Sequence, residues 1–197
     1  IVIIKEPQYS YLDKVLWMYS APYYQTLFLD TDTYVCDDIS ELFDLLTRFD
    51  IAVAHASNRI SRASSSYMIE GVPISFTEMN TGVILFKKSP RMKNFFSSWL
   101  NFYRRDIQYY FENLTLKDTN SKEKMKLPQD QPSFREALYG TKLRIATLSP
   151  EYNCRFTFPV FASGTVKILH GRHENLSSVA EIINKKTERR VFSIGEI

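Results

Sequence analysis

Leu27-Phe28-Leu29-Asp30-Thr31-Asp32-Thr33-Tyr34-Val35 runs an apolar segment of strand length straight into two aspartates one residue apart. In an extended chain, residues two apart project to the same side, so both carboxylates can face one ligand. They stand at the carboxyl end of the expected strand, where open α/β sheets place their binding crevice. Paired carboxylates are hard oxygen donors. They suit Mg²⁺ or Mn²⁺, with phosphate oxygens of a ligand completing the shell.

Outward from this stretch, short apolar runs alternate with helical patterns. Upstream, Ile1-Val2-Ile3-Ile4 reads as a strand, and Tyr11 to Tyr19 as a helix ended by Ser20-Ala21-Pro22. Downstream, Asp38 or Ser40 can cap a helix whose apolar face is Ile39, Leu42, Phe43 and Leu46. Ile51 to Ala54 and Gly82 to Phe86 read as strands, separated by a serine-containing loop, Asn58 to Ser75. A loop of that length in a compact domain often shapes a binding site. Pro90 to Phe111 carries the strongest helical pattern, with Met92, Phe96, Trp99, Tyr103, Ile107 and Tyr110 stepping by threes and fours into one core-facing stripe. Glu112 to Gln129 is polar and reads as a surface excursion, and Pro132 to Tyr139 begins another helix. Arg144 to Leu148 and Thr165 to Leu169 are further strands, and Ser177 to Asn184 is a terminal helix followed by a basic tail. This alternation predicts an α/β fold with a mainly parallel central sheet flanked by helices. No repeat or linker divides the chain, so residues 1–197 are expected to form a single domain.

The composition agrees and excludes several classes. Of 197 residues, 44% are apolar, 14% aromatic and 24% charged, which supports a packed core. A net charge of +3 makes no case for nucleic acid. Cys36 and Cys154 could form at most one bridge, so a reducing, cytoplasmic compartment is the simpler expectation. With three histidines and two cysteines, a structural zinc site is not expected. No apolar run is long enough to span a membrane. The chain opens without methionine, directly in a strand-like run, so its natural start is expected to lie upstream.

Three chemistries compete for Asp30 and Asp32. A calcium-binding EF-hand loop would fit Asp30, Asp32 and Glu41, but Tyr34 and Val35 stand where that loop needs a ligand and a glycine. A phosphatase of the haloacid-dehalogenase type has a similar acidic strand end, yet Tyr34 occupies its threonine or valine position. It also needs a later acidic cluster, which Asp106, Asp118 and Asp130 do not form. The third is transfer from a nucleotide sugar, in which a metal on the aspartates neutralises a leaving diphosphate. The accompanying residues favour it.

With those companions the chain resembles the GT-A glycosyltransferases, in particular the glycogenin-like and bacterial galactosyltransferase-like group (family 8-like). The matching segments occur in order: Asp30-Thr31-Asp32-Thr33 with Asp38-Ile39-Ser40-Glu41-Leu42-Phe43; Phe76-Thr77-Glu78-Met79-Asn80-Thr81-Gly82-Val83; Leu127-Pro128-Gln129-Asp130-Gln131-Pro132; and Ile168-Leu169-His170-Gly171-Arg172. The resemblance covers about Lys14 to Arg172. Only 29 residues precede Asp30, less than the strand and helix that hold the nucleotide base in the family. The family's glycine, lysine, proline and tryptophan after the histidine are also missing, and Arg172 is the expected stand-in for the lysine as the diphosphate's cation.

The resemblance implies a Rossmann-like GT-A fold and a hexosyltransferase using a nucleotide diphosphate sugar, a UDP-sugar first among them, with Mn²⁺ or Mg²⁺. It implies that Asp30, Asp32 and His170 hold the metal, the imidazole favouring Mn²⁺. Asn80, able to donate and accept, would meet sugar hydroxyls, and Gly82 would let the backbone approach the sugar. Gly171 and Arg172 would lie against the donor, and Lys14 could reach its diphosphate. Asp130 and Gln131 would line the sugar opposite the metal. The implied outcome is retention, the leaving phosphate taking the acceptor's proton; inversion would instead need a carboxylate base, Asp130 or Glu78. The acceptor would be a hydroxyl of a glycan, lipid or protein. Lys185, Lys186, Arg189 and Arg190 offer a basic tail for a membrane surface or an anionic acceptor. A non-catalytic sugar-nucleotide-binding domain stays open beside the enzyme.

Overall fold

The computed structural model describes residues 6–8, 10–57, 71–117 and 128–192. The strand expected at Ile1 to Ile4, the greater part of the 58–75 loop and most of the polar excursion lie outside these residues. The chain divides into two compact units. The first takes Ile1–Tyr23, Ile60–Glu78 and Lys88–Lys142; the second takes Tyr24–Arg59, Met79–Lys87 and Leu143–Ile197.

The first unit is helical. Helix α1, Tyr11–Trp17, starts where Ser10 Oγ accepts from the Leu12 amide and runs on into a 3₁₀ turn, Met18–Ser20. In the second unit strand β1 is Gln25–Leu29, strand β2 Thr33–Val35, helix α2 the single turn Leu45–Arg48, strand β3 Ile51–His55 and strand β4 Met79–Lys87. The long helix of the first unit is α3, Pro90–Lys117, and the shorter one is α4, Gln131–Tyr139. The expected aromatic stripe of α3 is core from Met92 to Tyr103, while Ile107 and Tyr110 are half-buried: Trp99 and Tyr103 are fully buried, and Trp99 packs edge-on against Phe134 of α4 at 4.7 Å between ring centroids. Both polar tips find acceptors, Trp99 Nε1 on the Asp130 carbonyl and Tyr103 Oη on that of Pro128, as buried aromatics with polar ends require.

The second unit continues with strand β5, Ile145–Leu148, strand β6, Val160–Ala162, strand β7, Ile168–His170, helix α5, Leu176–Asn184, and strand β8, Arg190–Phe192. Its main sheet has the order β1-β4-β3-β5. The α/β alternation is as expected, but the sheet is mixed rather than mainly parallel. β4 pairs antiparallel with both β1 and β3, and only β3–β5 is a parallel pairing. Apolar runs mark where strands lie; they do not encode the direction of a strand that follows a long connection. β4, central in the sheet, is buried at every position but its last.

Two smaller ribbons complete this unit. β2 pairs with β7, placing Thr33 opposite His170, and β6 pairs with β8. The residues expected as a basic tail therefore include a strand, in which the Arg190 guanidinium donates to the Gly164 carbonyl. Two apolar clusters hold the unit together. One joins Leu42 and Leu46 to Val83, Leu85 and Ile168, the other joins Phe156 and Leu169 to Val179 and Ile183 of α5. Among the described residues no helix is long and apolar enough to cross a membrane, and both Cys36 and Cys154 are unpaired.

Candidate metal centre

Asp30 and Asp32 lie in the tight turn by which the chain leaves β1 and enters β2. Each flank is tied to a different sheet. The Asp30 amide donates to the Gly82 carbonyl at 2.8 Å, and the Gly171 amide donates to the Asp32 carbonyl at 2.9 Å. Thr33 closes the turn, its amide and hydroxyl both donating to the Asp30 carbonyl. The turn is thus pinned to β4 on one side and to the end of β7 on the other. The two carboxylates converge through this turn, not through the pleat of an extended strand as the spacing alone implied.

His170 completes the group. Its Nε2 lies 3.4 Å from Asp32 Oδ1 and 3.8 Å from Asp30 Oδ2. One donor atom from each of the three residues falls within 4.8 Å of the others, with the imidazole buried and the carboxylates half-buried. An ion about 2.1 Å from each donor holds its donors about 3–4 Å apart, the range in which the two imidazole–carboxylate distances fall. Two carboxylate oxygens and one imidazole nitrogen make a mixed set compatible with Mn²⁺ or Mg²⁺. The residues fit a divalent ion.

The imidazole is held from the other side. Its Nδ1 lies 2.8 Å from Asn153 Oδ1, Asn153 Nδ2 donates to Asn80 Oδ1 at 2.8 Å, and the Gly82 amide donates to the same oxygen at 3.0 Å. Asn80 and Asn153 are both buried. The Asn80 side-chain oxygen is therefore engaged inside the protein. Gly82 lacks a side chain for a reason the spacing did not reveal: a Cβ there would sit 2.6 Å from His170 Nδ1 and 2.8 Å from Nε2. β4 shifts register against β3 at Val53/Ala54, which lets Thr81, Gly82 and Val83 depart from the regular ladder beside the site.

Gly171 also has a steric cause. At φ +149 it is in a conformation that side chains rarely adopt, and a Cβ would press on Thr157 and Phe156. Arg172 follows, exposed. Arg155 was not anticipated. Its Nη1 lies 3.5 Å from His170 Nε2, and its guanidinium covers the Phe158 ring. Asn153 was also missed. Both sit in the irregular stretch after the 3₁₀ turn Pro150–Tyr152, where Cys154 bridges Leu169, and no periodicity or motif marks them.

Lys14, Asp130 and Gln131 belong to the first unit. Lys14 Nζ pairs with Asp130 Oδ2 at 3.2 Å, the Asp130 side chain being buried and that of Lys14 9% exposed. Asp130 stands at the cap position of α4 but makes no capping bond through its side chain. Gln131 donates to Glu78 Oε1 at 2.9 Å, and Glu78 is fully buried. His173 is a loop residue whose Nδ1 accepts from the Asn175 amide, and His55 ends β3 opposite Met79.

No protein-family profile matches the chain, and no curated protein does either. Solved structures similar to it include the galactosyltransferase LgtC with donor and acceptor sugar analogues, 14% identical, with a TM-score of 0.49 over 88% of this chain and 62% of that one. Mouse xyloside xylosyltransferase 1 in its apo form is 16% identical, with a TM-score of 0.47 over 82% of this chain and 63% of that one. The glycosyltransferase GlyE of Streptococcus pneumoniae is 16% identical, with a TM-score of 0.41 over 96% of this chain and 42% of that one. The chain spans less than two thirds of the length of each.

Proposed function

We propose that this chain is a metal-dependent glycosyltransferase of the GT-A type that moves a sugar from a nucleotide diphosphate sugar, a UDP-sugar, to an acceptor hydroxyl with retention. The observation that carries the reading is the meeting of Asp30, Asp32 and His170, three residues drawn from motifs 140 positions apart, around one point. When bound there, Mn²⁺ or Mg²⁺ supplies Lewis-acid stabilisation of charge on a departing diphosphate.

The chain's own residues do the rest. Asp30 and Asp32 would hold the ion from the β1–β2 turn, and His170 would be its third protein ligand. Arg155, whose Nη1 lies 3.5 Å from His170 Nε2, is placed to meet diphosphate oxygens, and its planar guanidinium suits two of them at once. Arg172 lies exposed next to Gly171 and serves as a second such cation. In a retaining reaction the leaving phosphate oxygen receives the acceptor's proton, so no carboxylate base is required. The roles of Asp130 and Gln131 toward the sugar and of Lys14 toward the diphosphate rest on motif order alone. The basic residues Lys185, Lys186 and Arg189 are the part of the surface suited to an anionic acceptor or membrane.

Calorimetric titration with a panel of nucleotide sugars, with and without Mn²⁺, tests the reading. UDP-sugars should bind in the presence of Mn²⁺, and slow hydrolysis of the donor should accompany binding. Asp32→Ala should abolish that hydrolysis with the circular dichroism unchanged, and His170→Ala should weaken it less. Hydrolysis at full rate in Asp32→Ala would remove the metal assignment. Binding without hydrolysis or transfer would leave a sugar-nucleotide-binding domain, and an inverted anomeric centre in the product by NMR would remove retention.

A further inference from the structure

The amide and imidazole groups behind the carboxylates form a chain whose directions follow from a single unambiguous donor. A backbone N–H can only donate, so the Asn80 atom 3.0 Å from the Gly82 amide is its carbonyl oxygen. That oxygen also faces the Asn153 side chain at 2.8 Å, which must present its NH₂ group. The other end of the Asn153 amide is then an oxygen, and it faces His170 Nδ1 at 2.8 Å. An oxygen there calls for a proton on Nδ1. On the opposite edge of the ring, the Arg155 guanidinium near Nε2 has only protons to give, which agrees with a lone pair on that nitrogen.

We propose that Asn153, anchored through Asn80 to the Gly82 amide, is a positioning residue that holds the proton of His170 on Nδ1 and turns the Nε2 lone pair toward Asp30 and Asp32. The proposal rests on the metal-binding reading for its purpose, though not for its geometry. Left alone, an imidazole facing two carboxylates would place its proton on Nε2, where it could donate to them, and the ring could not then ligate through that nitrogen. The relay opposes that choice. It leaves on Nε2 a lone pair, beside the Arg155 guanidinium and facing the two carboxylates, through which the ring can ligate an ion. Burial matters here, because water competing for Nδ1 or the two amides would loosen the choice; His170, Asn153 and Asn80 are 2%, 5% and 4% exposed. Gly82 serves twice, as the fixed donor and as the floor on which the ring lies.

The test reads the ring nitrogens directly. Long-range ¹H–¹⁵N correlation spectra of the metal-free ¹⁵N-labelled protein, with His170 assigned by His170→Gln, should show Nδ1 protonated and Nε2 bare; a proton on both nitrogens would overturn the lone pair on Nε2. Asn80→Asp keeps the oxygen that accepts from both Gly82 and Asn153, so it should preserve that state. Asn153→Leu should lose it, and its Mn²⁺ dissociation constant, read from the EPR signal of free Mn²⁺, should rise about 10–100-fold. A wild-type His170 without a proton on Nδ1 overturns the relay whether or not any variant folds. Protonated Nδ1 with no Mn²⁺ binding leaves the relay standing and removes the metal reading. Mn²⁺ binding with bare Nδ1 does the reverse.

Discussion

The imidazole of His170 occupies the space that any side chain at Gly82 would need. A ring from the end of β7 lies on the backbone of β4, and this close approach brings the third member of the acidic cluster to the two aspartates.

Gly82→Ala therefore tests the site without altering any of its donor atoms. The methyl group cannot share its position with the ring, and the ring cannot retreat without leaving Asn153. Mn²⁺ affinity should fall by about tenfold or more, as when partners behind a ligand are lost, with a stability cost of about 1–3 kcal/mol from overpacking. EPR titration and urea denaturation measure the two effects separately.

Lys14 and Asp130 make a buried ion pair in the first unit. Removing one charge strands the other, which costs about 3–5 kcal/mol, whereas removing both in favour of apolar groups is often neutral. Lys14→Met should thus lower the urea midpoint sharply, and the double variant Lys14→Met with Asp130→Leu should recover most of the loss. A stable single variant would count against a structural role for the pair.

Asp50 is gripped by Arg144 through its backbone amide and guanidinium, with Lys87 Nζ 3.7 Å away. The Arg144 hydrogen bonds, against the desolvation of the site, hold the Asp50 carboxyl below the ordinary carboxylate range. A depressed pKa stabilises the fold above the unfolded-state value, near 4, and that stability is lost as pH falls through the lower folded value. The gap in urea midpoint between wild type and Asp50→Asn should be widest at neutral pH and close as the solution is acidified below about pH 4. A gap independent of pH would contradict this.

The two thiols should differ in reactivity. Burial pushes Cys154 up to about 12 and also raises the half-buried Cys36. Since the thiolate is the reactive form, a disulfide reagent at pH 8 should modify Cys36 slowly and Cys154 only after denaturant is added. Prompt labelling of both in the native protein would show that the cluster around Phe156 and Leu169 is not closed.

Much of the fold was legible because local chemistry writes it. The aromatic steps from Met92 to Tyr103 repeat with the period of a helix and are core. The runs at Thr26, Ile51 and Gly82 have the length and branching of strands, and strands form there. The three-residue strands β2, β6 and β8 were not legible. Their pairing energy comes from partners more than a hundred residues away for β2 and about thirty for β6 and β8, not from their own composition.

The same division runs through the site. By itself the sequence determined that Asp30 and Asp32 stand together at a strand's end, because an apolar run stopped by two near-adjacent acids fixes that locally. The order of motifs already set His170 beside them as an expectation, which the structure meets; only the tertiary structure decided that Asn153 and Asn80 stand behind it and that Arg155 lies beside it. Those meetings depend on the registers of β1 on β4 and of β2 on β7, set by long-range hydrogen bonding and close packing that no local pattern records.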